Sequence, residues 1–193
     1  MTLLSREDIL RGLRTIDERA KKAGLIIELA IYGGAAMSLV FDMRRATRDV
    51  DAVVHGDPMR FRELVKQIAR EEGWPESWLN DGVKGFLSAN EALVAMEEFL
   101  PGEEGGLRLF TPTPEYLFAM KCMAMRPQGH EGSQDFDDIR KLAEIAQIKT
   151  ADEALSLVES FYPPERIPPK VRFGIEEIMH GLARNERMTP SPD

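Results

Sequence analysis

Apolar positions near the start of the chain recur at helical spacing. Ile9, Leu13, Ile16 and Ala20 share one face, and Ser5 with Asp8 forms the start signal of a capping box, so the pattern predicts an amphipathic helix over residues 6–22 that Gly24 ends. The period then shortens. Leu25 to Tyr32 reads as a strand, Gly33-Gly34 as a turn, Ala35 to Asp42 as a short apolar helix and Arg48 to Val54 as a second strand. Asp57 before Pro58 opens a helix to about Glu72, with Phe61, Leu64, Val65 and Ile68 as its buried stripe.

The stretch GWPESWLNDGVKGFL has no clear period and receives no element. Beyond a loop with Pro101, Gly102, Gly105 and Gly106, LRLF reads as a strand and Thr113-Pro114 starts a helix to about Arg126. The loop RPQGHEGSQ separates it from a helix over about 135–147; Thr150 with Glu153 opens another, to about Tyr162, as a second capping box. After the link PPERIPP, Val171, Ile175, Ile178 and Leu182 mark one face of a last helix, followed by the tail MTPSPD. Strands gather early and helices late. The expected class is α+β, a small mixed sheet flanked by helices with a helical C-terminal part: a core over 1–112, helices over 113–187 packed on it as one compact unit, and a tail over 188–193.

Composition narrows the picture. With 43% hydrophobic and 30% charged residues the chain is that of an ordinary globular protein. MTLLSREDILRGL has charges where a signal peptide needs an apolar core, and LIIELAIY is short and interrupted by Glu28, so neither export nor membrane spanning is expected. Cys122 is the only cysteine, which excludes an intrachain disulfide and a cysteine-rich metal knuckle and fits the cytoplasm. A net charge of -8 argues against a protein that coats nucleic acid through its overall field. Local basic groups stand at Arg44, Arg45 and Arg48, and at Arg166, Lys170 and Arg172; the second is read as a solvated face.

The chemistry gathers around the second strand, where a buried strand would avoid aspartate. Side chains alternate in a strand, so Asp49 and Asp51 share a face, with Cα atoms roughly 6 to 7 Å apart at ~3.3 Å per residue. Two carboxylates at that spacing suit a hard divalent cation such as Mg²⁺ or Mn²⁺, and two such ions would clamp a phosphoryl or nucleotidyl transfer. If the preceding residues are also extended, Arg45 and Thr47 continue that face as R-x-T-x-D-x-D, with Arg45 suited to a phosphate and Thr47 able to donate to one. Gly33 and Gly34 let backbone N–H groups approach a phosphate closely.

Taken together, GGAAMSLVFDMRRATRDVDAVV resembles the signature of the DNA polymerase β nucleotidyltransferase superfamily, a glycine turn followed by D-x-D on a strand. The R-x-T-x-D-x-D form is similar to the AbiEii-like and MenT-like toxins and related minimal nucleotidyltransferases. KCMAMR resembles that branch's K-x-x-A-x-x-R helix through Lys121, Ala124 and, one place early, Arg126; DFDDI resembles its D-x-x-D block through Asp135 and Asp138; WLND occurs in some members without an assigned role. The resemblance spans roughly residues 30 to 145. It implies that Asp49 and Asp51 bind metal, that Lys121 contacts the triphosphate, and that Asp135, Asp138 and Arg126 support the site. On residue type alone, Lys121 also reads as an exposed helix residue, although the apolar helix around it favours a functional role, and Asp135, Asp138 and above all Asp137 also read as acids in a helix's first turn.

The leading expectation is therefore a bacterial, toxin-like enzyme that moves a nucleoside monophosphate from an NTP to an acceptor, be it a tRNA end, a protein or a small molecule, with a cognate antitoxin as a further partner. A catalytically inactive module of the same fold that binds nucleotide or a partner is the alternative. A sugar transferase using D-x-D is a third reading, disfavoured by the preceding glycine pair and the short chain.

Overall fold

The computed structural model describes residues 3–42, 45–126 and 130–188. They form a mixed α+β protein of two compact units: one made of the described residues within 1–85 and 93–112, the other of those within 86–92 and 113–188.

In the first unit, a five-stranded mixed sheet runs β5 (Leu79–Asn80), β4 (Val50–His55), β2 (Ile26–Ile31), β7 (Gly106–Pro112), β6 (Leu93–Ala95). The central strand β2 pairs antiparallel with β4 and parallel with β7, and β5 pairs parallel with β4, setting Val50 opposite Leu79 and Asp51 opposite Asn80. Helices α1 (Arg6–Lys22), α2 (Gly33–Leu39) and α3 (Pro58–Glu72) belong to the same unit. The capping box of α1 is complete, and its predicted stripe of Ile9, Leu13 and Ile16 is fully buried with Leu29, Ile31, Val50, Ile68, Leu107 and Leu109. Burial of each such side chain contributes roughly 1.5–3 kcal/mol.

One residue ties the turn-rich stretch to that core. Trp78 is fully buried and its indole N–H donates to the Val65 carbonyl of α3 at 3.1 Å. It packs so tightly on α1 that a Cβ at Gly12 would lie 2.6 Å from its ring, which accounts for a glycine inside a helix.

Several elements differ from the sequence expectation. The glycine pair is the first turn of α2 rather than a turn before it, and α2 ends at Leu39, with Asp42 left-handed beyond it. The expected strand over 48–54 begins only at Val50, because Ala46–Thr47 (β3) pairs instead with Leu4–Ser5 (β1) in a separate two-stranded ladder and Arg48 bends between them. GWPESWLNDGVKGFL supplies β5 and a 3-10 turn over Gly82–Phe86. Arg44 and the tail from Thr189 onward lie outside the described residues.

The second unit holds α4 (Pro114–Ala124), α5 (His130–Ile145), α6 (Ala151–Phe161) and α7 (Pro169–Met188). Thr150 and Glu153 complete the second capping box. The segment 86–92 is bound to these helices by hydrogen bonds: Tyr162 Oη donates to the Phe86 carbonyl at 2.6 Å, the Ser88 N–H donates to Tyr116 Oη at 2.9 Å, and the Ser88 hydroxyl donates to the Phe161 carbonyl. Arg166, Lys170 and Arg172, read as a solvated face, are all exposed, and each also hydrogen-bonds within its own unit. Arg166 donates to the Leu87 carbonyl, Lys170 to the Met125 carbonyl and Arg172 to Glu159. Among the described residues no helix is long and apolar enough to cross a membrane.

Candidate functional site

Val50 and Ala52 turn into the core of the first unit, which leaves Asp49 and Asp51 half-buried on the opposite side of the chain. Asp51 is fixed by its backbone: its carbonyl accepts from the Tyr32 N–H at 2.8 Å, at the entry to α2. Its carboxylate lies against Gly33, whose φ is +58° and where a Cβ would come within 2.7 Å of Asp51 Oδ2. Glycine at 33 thus serves two needs, a left-handed backbone and a close approach.

Asp49 stands just before β4. Its carbonyl accepts from the Thr47 hydroxyl at 3.1 Å, and its carboxylate Oδ2 accepts from Asn80 Nδ2 at 3.0 Å. Asn80 Oδ1 in turn accepts from the Gly82 N–H at 2.8 Å. A Cβ on Gly82 would lie 2.9 Å from Asn80 Oδ1 and 3.6 Å from Asp51 Oδ1, so Asp51's carboxylate has a glycine on either side. Next in the turn, Asp81 accepts from Lys84 at 2.6 Å and from Arg62 at 3.0 Å, and these cations, Lys84 first, hold its carboxyl below the usual carboxylate range.

Gly33, Asp49 and Asp51 therefore meet in one place, with Gly34 the next residue of α2. Arg45 and Thr47 do not continue the aspartates' face as one extended run. β3 turns away to pair with β1, Arg45 is exposed, and the buried Thr47 hydroxyl is donated to Asp49's own carbonyl. Asn80 and Gly82 were not singled out from the sequence; WLNDG carries them, and an Asn-Asp-Gly turn beside a strand was the available signal.

Among the described residues no group of three or more His, Cys, Asp or Glu side chains is placed to hold a metal ion. The pair Asp49 and Asp51 is a two-carboxylate set, which suits Mg²⁺ because that ion keeps several ligands for water and substrate phosphate. Glycine at 33 and 82 puts no Cβ against Asp51's carboxylate, where one would lie 2.7 Å from Oδ2 and 3.6 Å from Oδ1, and two carboxylates of this kind are a donor set that fits such an ion.

The remaining predicted residues lie in the second unit. Lys121 of α4 donates to Asp138 of α5 at 2.8 Å, with side chains only 12% and 6% exposed. Arg126 grips Asp135 with two hydrogen bonds of 2.9 and 3.2 Å. Lys121 is thus not an exposed helix lysine. Nor are Asp135 and Asp138 first-turn acids, since α5 begins at His130; both are buried and ion-paired, whereas Asp137 is exposed and faces Arg140 at 3.5 Å.

Residues 11–155 match the family described as "Nucleotidyltransferase of unknown function (DUF6036)". Among solved structures the chain is similar to one described as an antigenic nucleotidyltransferase-like protein from Paracoccidioides brasiliensis, at 15% identity, covering 90% of this chain and 94% of that one with a TM-score of 0.48. No curated protein matches.

Proposed function

Because the chain belongs to the DUF6036 family of nucleotidyltransferases of unknown function, we propose that it transfers a nucleoside monophosphate from an NTP to an acceptor in a metal-dependent reaction. The observation that carries this reading is the placement of Asp49, just before β4, and Asp51, within it, on the side of the chain away from Val50 and Ala52, with Gly33 and Gly82 against Asp51 and Asn80 against Asp49.

Asp49 and Asp51 would hold Mg²⁺ or Mn²⁺, and such an ion would supply neutralisation of charge on the triphosphate and acidification of the acceptor hydroxyl. The acceptor oxygen forms a bond to the α-phosphorus, the bond from that phosphorus to the bridging oxygen breaks, and pyrophosphate leaves with the electron pair while the acceptor proton passes to solvent. Gly33 and Gly34 leave their backbone open to a phosphate, and Arg45 is exposed and cationic. By the family resemblance Lys121 meets the triphosphate; Asp138 orients its ammonium, and the Arg126–Asp135 pair ties the chain just beyond α4 to α5. Positioning and charge neutralisation supply most of the rate in such chemistry. The acceptor is a tRNA end, a protein or a small molecule, and within the AbiEii-like and MenT-like branch the enzyme acts as the toxin of a cytoplasmic bacterial toxin–antitoxin pair.

The test is incubation with each α-labelled NTP, Mg²⁺ and total RNA or total protein. Label should enter one acceptor, EDTA should prevent it, and Asp49→Asn and Asp51→Asn, both folded, should lose it at least 100-fold. Nucleotide binding without transfer to any acceptor would leave the inactive module as the reading.

A further inference from the structure

We propose that Asn80 is a positioning residue for Asp49, setting the direction of the carboxylate that holds the divalent ion; the inference rests on the reading of Asp49 and Asp51 just given. Its amide faces two groups of opposite kind. Asp49 Oδ2, 3.0 Å from Nδ2, only accepts hydrogen bonds, and the Gly82 N–H, 2.8 Å from Oδ1, only donates. Turning the amide over would set oxygen against carboxylate and NH₂ against N–H, so its neighbours fix one orientation. The second amide hydrogen points to the Ser77 carbonyl at 3.4 Å. Both polar ends of this half-buried side chain are thus engaged, the nitrogen by Asp49 and Ser77 and the oxygen by the turn that follows.

The backbone is held as firmly. Asn80 lies opposite Asp51 in the parallel β4–β5 ladder, and the Val50 N–H, between the two aspartates, donates to the Trp78 carbonyl at 2.6 Å. Trp78, two residues before Asn80, is buried against α1 and bonded to α3. Asn80 is therefore an arm from the core to Asp49, and Gly82 lets the turn close on it without a Cβ. A carboxylate so held has fewer orientations to lose when it takes up a cation, and partners of this kind typically matter 10- to 100-fold in metal affinity.

The experiment titrates the full-length protein with Mn²⁺ alone, following the free-ion signal by electron paramagnetic resonance, for wild type, Asn80→Leu, Asp49→Asn and the double variant, with a thermal melt of each. Asn80→Leu should raise the dissociation constant about tenfold while remaining folded, and the double variant should bind no more weakly than Asp49→Asn, because Asn80 acts through that carboxylate. If Asp49→Asn weakens binding but Asn80→Leu does not, or if the two effects add, the positioning role is overturned and the metal reading of Asp49 stands. A wild-type titration indistinguishable from that of Asp49→Asn overturns both.

Discussion

Gly33 touches Asp51 so closely that a Cβ at 33 would lie 2.7 Å from the carboxylate oxygen. With φ at +58°, a side chain there also carries a left-handed backbone cost of roughly 1–2 kcal/mol. Gly33→Ala should lower stability by about that amount and push Asp51 aside, so nucleotidyl transfer should fall further than the melting temperature alone explains. A fully active, equally stable variant would contradict this account of the first turn of α2.

Lys121 and Asp138 form a pair shielded from water, and removing one member strands the other. Lys121→Met should cost about 3 kcal/mol in urea denaturation. Adding Asp138→Asn should recover a good part of it, since no buried carboxylate then faces an aliphatic chain. Without that recovery, the loss at 121 is one of packing and not of charge.

The capping box of α1 predicts an acid-sensitive contribution. The Ser5 hydroxyl donates to Asp8 Oδ2 at 2.7 Å and accepts from the Asp8 N–H at 3.1 Å, and Ser5's bonds hold the Asp8 carboxyl below its usual range. A lowered folded value means the contribution is complete above the unfolded carboxylate value of about 3.9 and is lost as pH falls through the folded one. Ser5→Ala should cost about 1 kcal/mol at pH 7. That gap from wild type should narrow as the medium is acidified below about pH 4, as urea titrations at stepped pH would show.

Cys122 is fully buried in α4, and burial pushes its thiol well above the usual range. An aromatic disulfide reagent should leave the native protein unmodified at pH 8 and label one thiol per chain once it is unfolded in guanidinium. Rapid labelling under native conditions would show that α4 opens locally.

Much of the fold was legible where local chemistry decides it. Both capping boxes, the proline start of α3 and the buried stripes of α1 and α3 follow from residues within a turn or two of each other. Val50 between two aspartates marked the alternation of β4 for the same reason. What escaped depends on partners far along the chain. Nothing near Ala46–Thr47 announces Leu4–Ser5 as its mate, and the hydrogen bond from Asn80 to Asp49 spans 31 positions. Whether the aspartates' face extended back to Arg45 turned on the first of these long-range pairings.

Trp78 has a consequence for anyone watching the molecule in solution. The chain holds two tryptophans, Trp74 and Trp78, stacked edge-on at 5.0 Å, and both lie in the first unit; its single cysteine lies in the second. Indole emission therefore reports only on the sheet-bearing unit, from a ring two residues away from Asn80, while a thiol probe reports only on the helical one. The protein comes with a separate optical and chemical handle for each half, so the order in which the halves melt, or respond to a nucleotide, can be followed without adding a label.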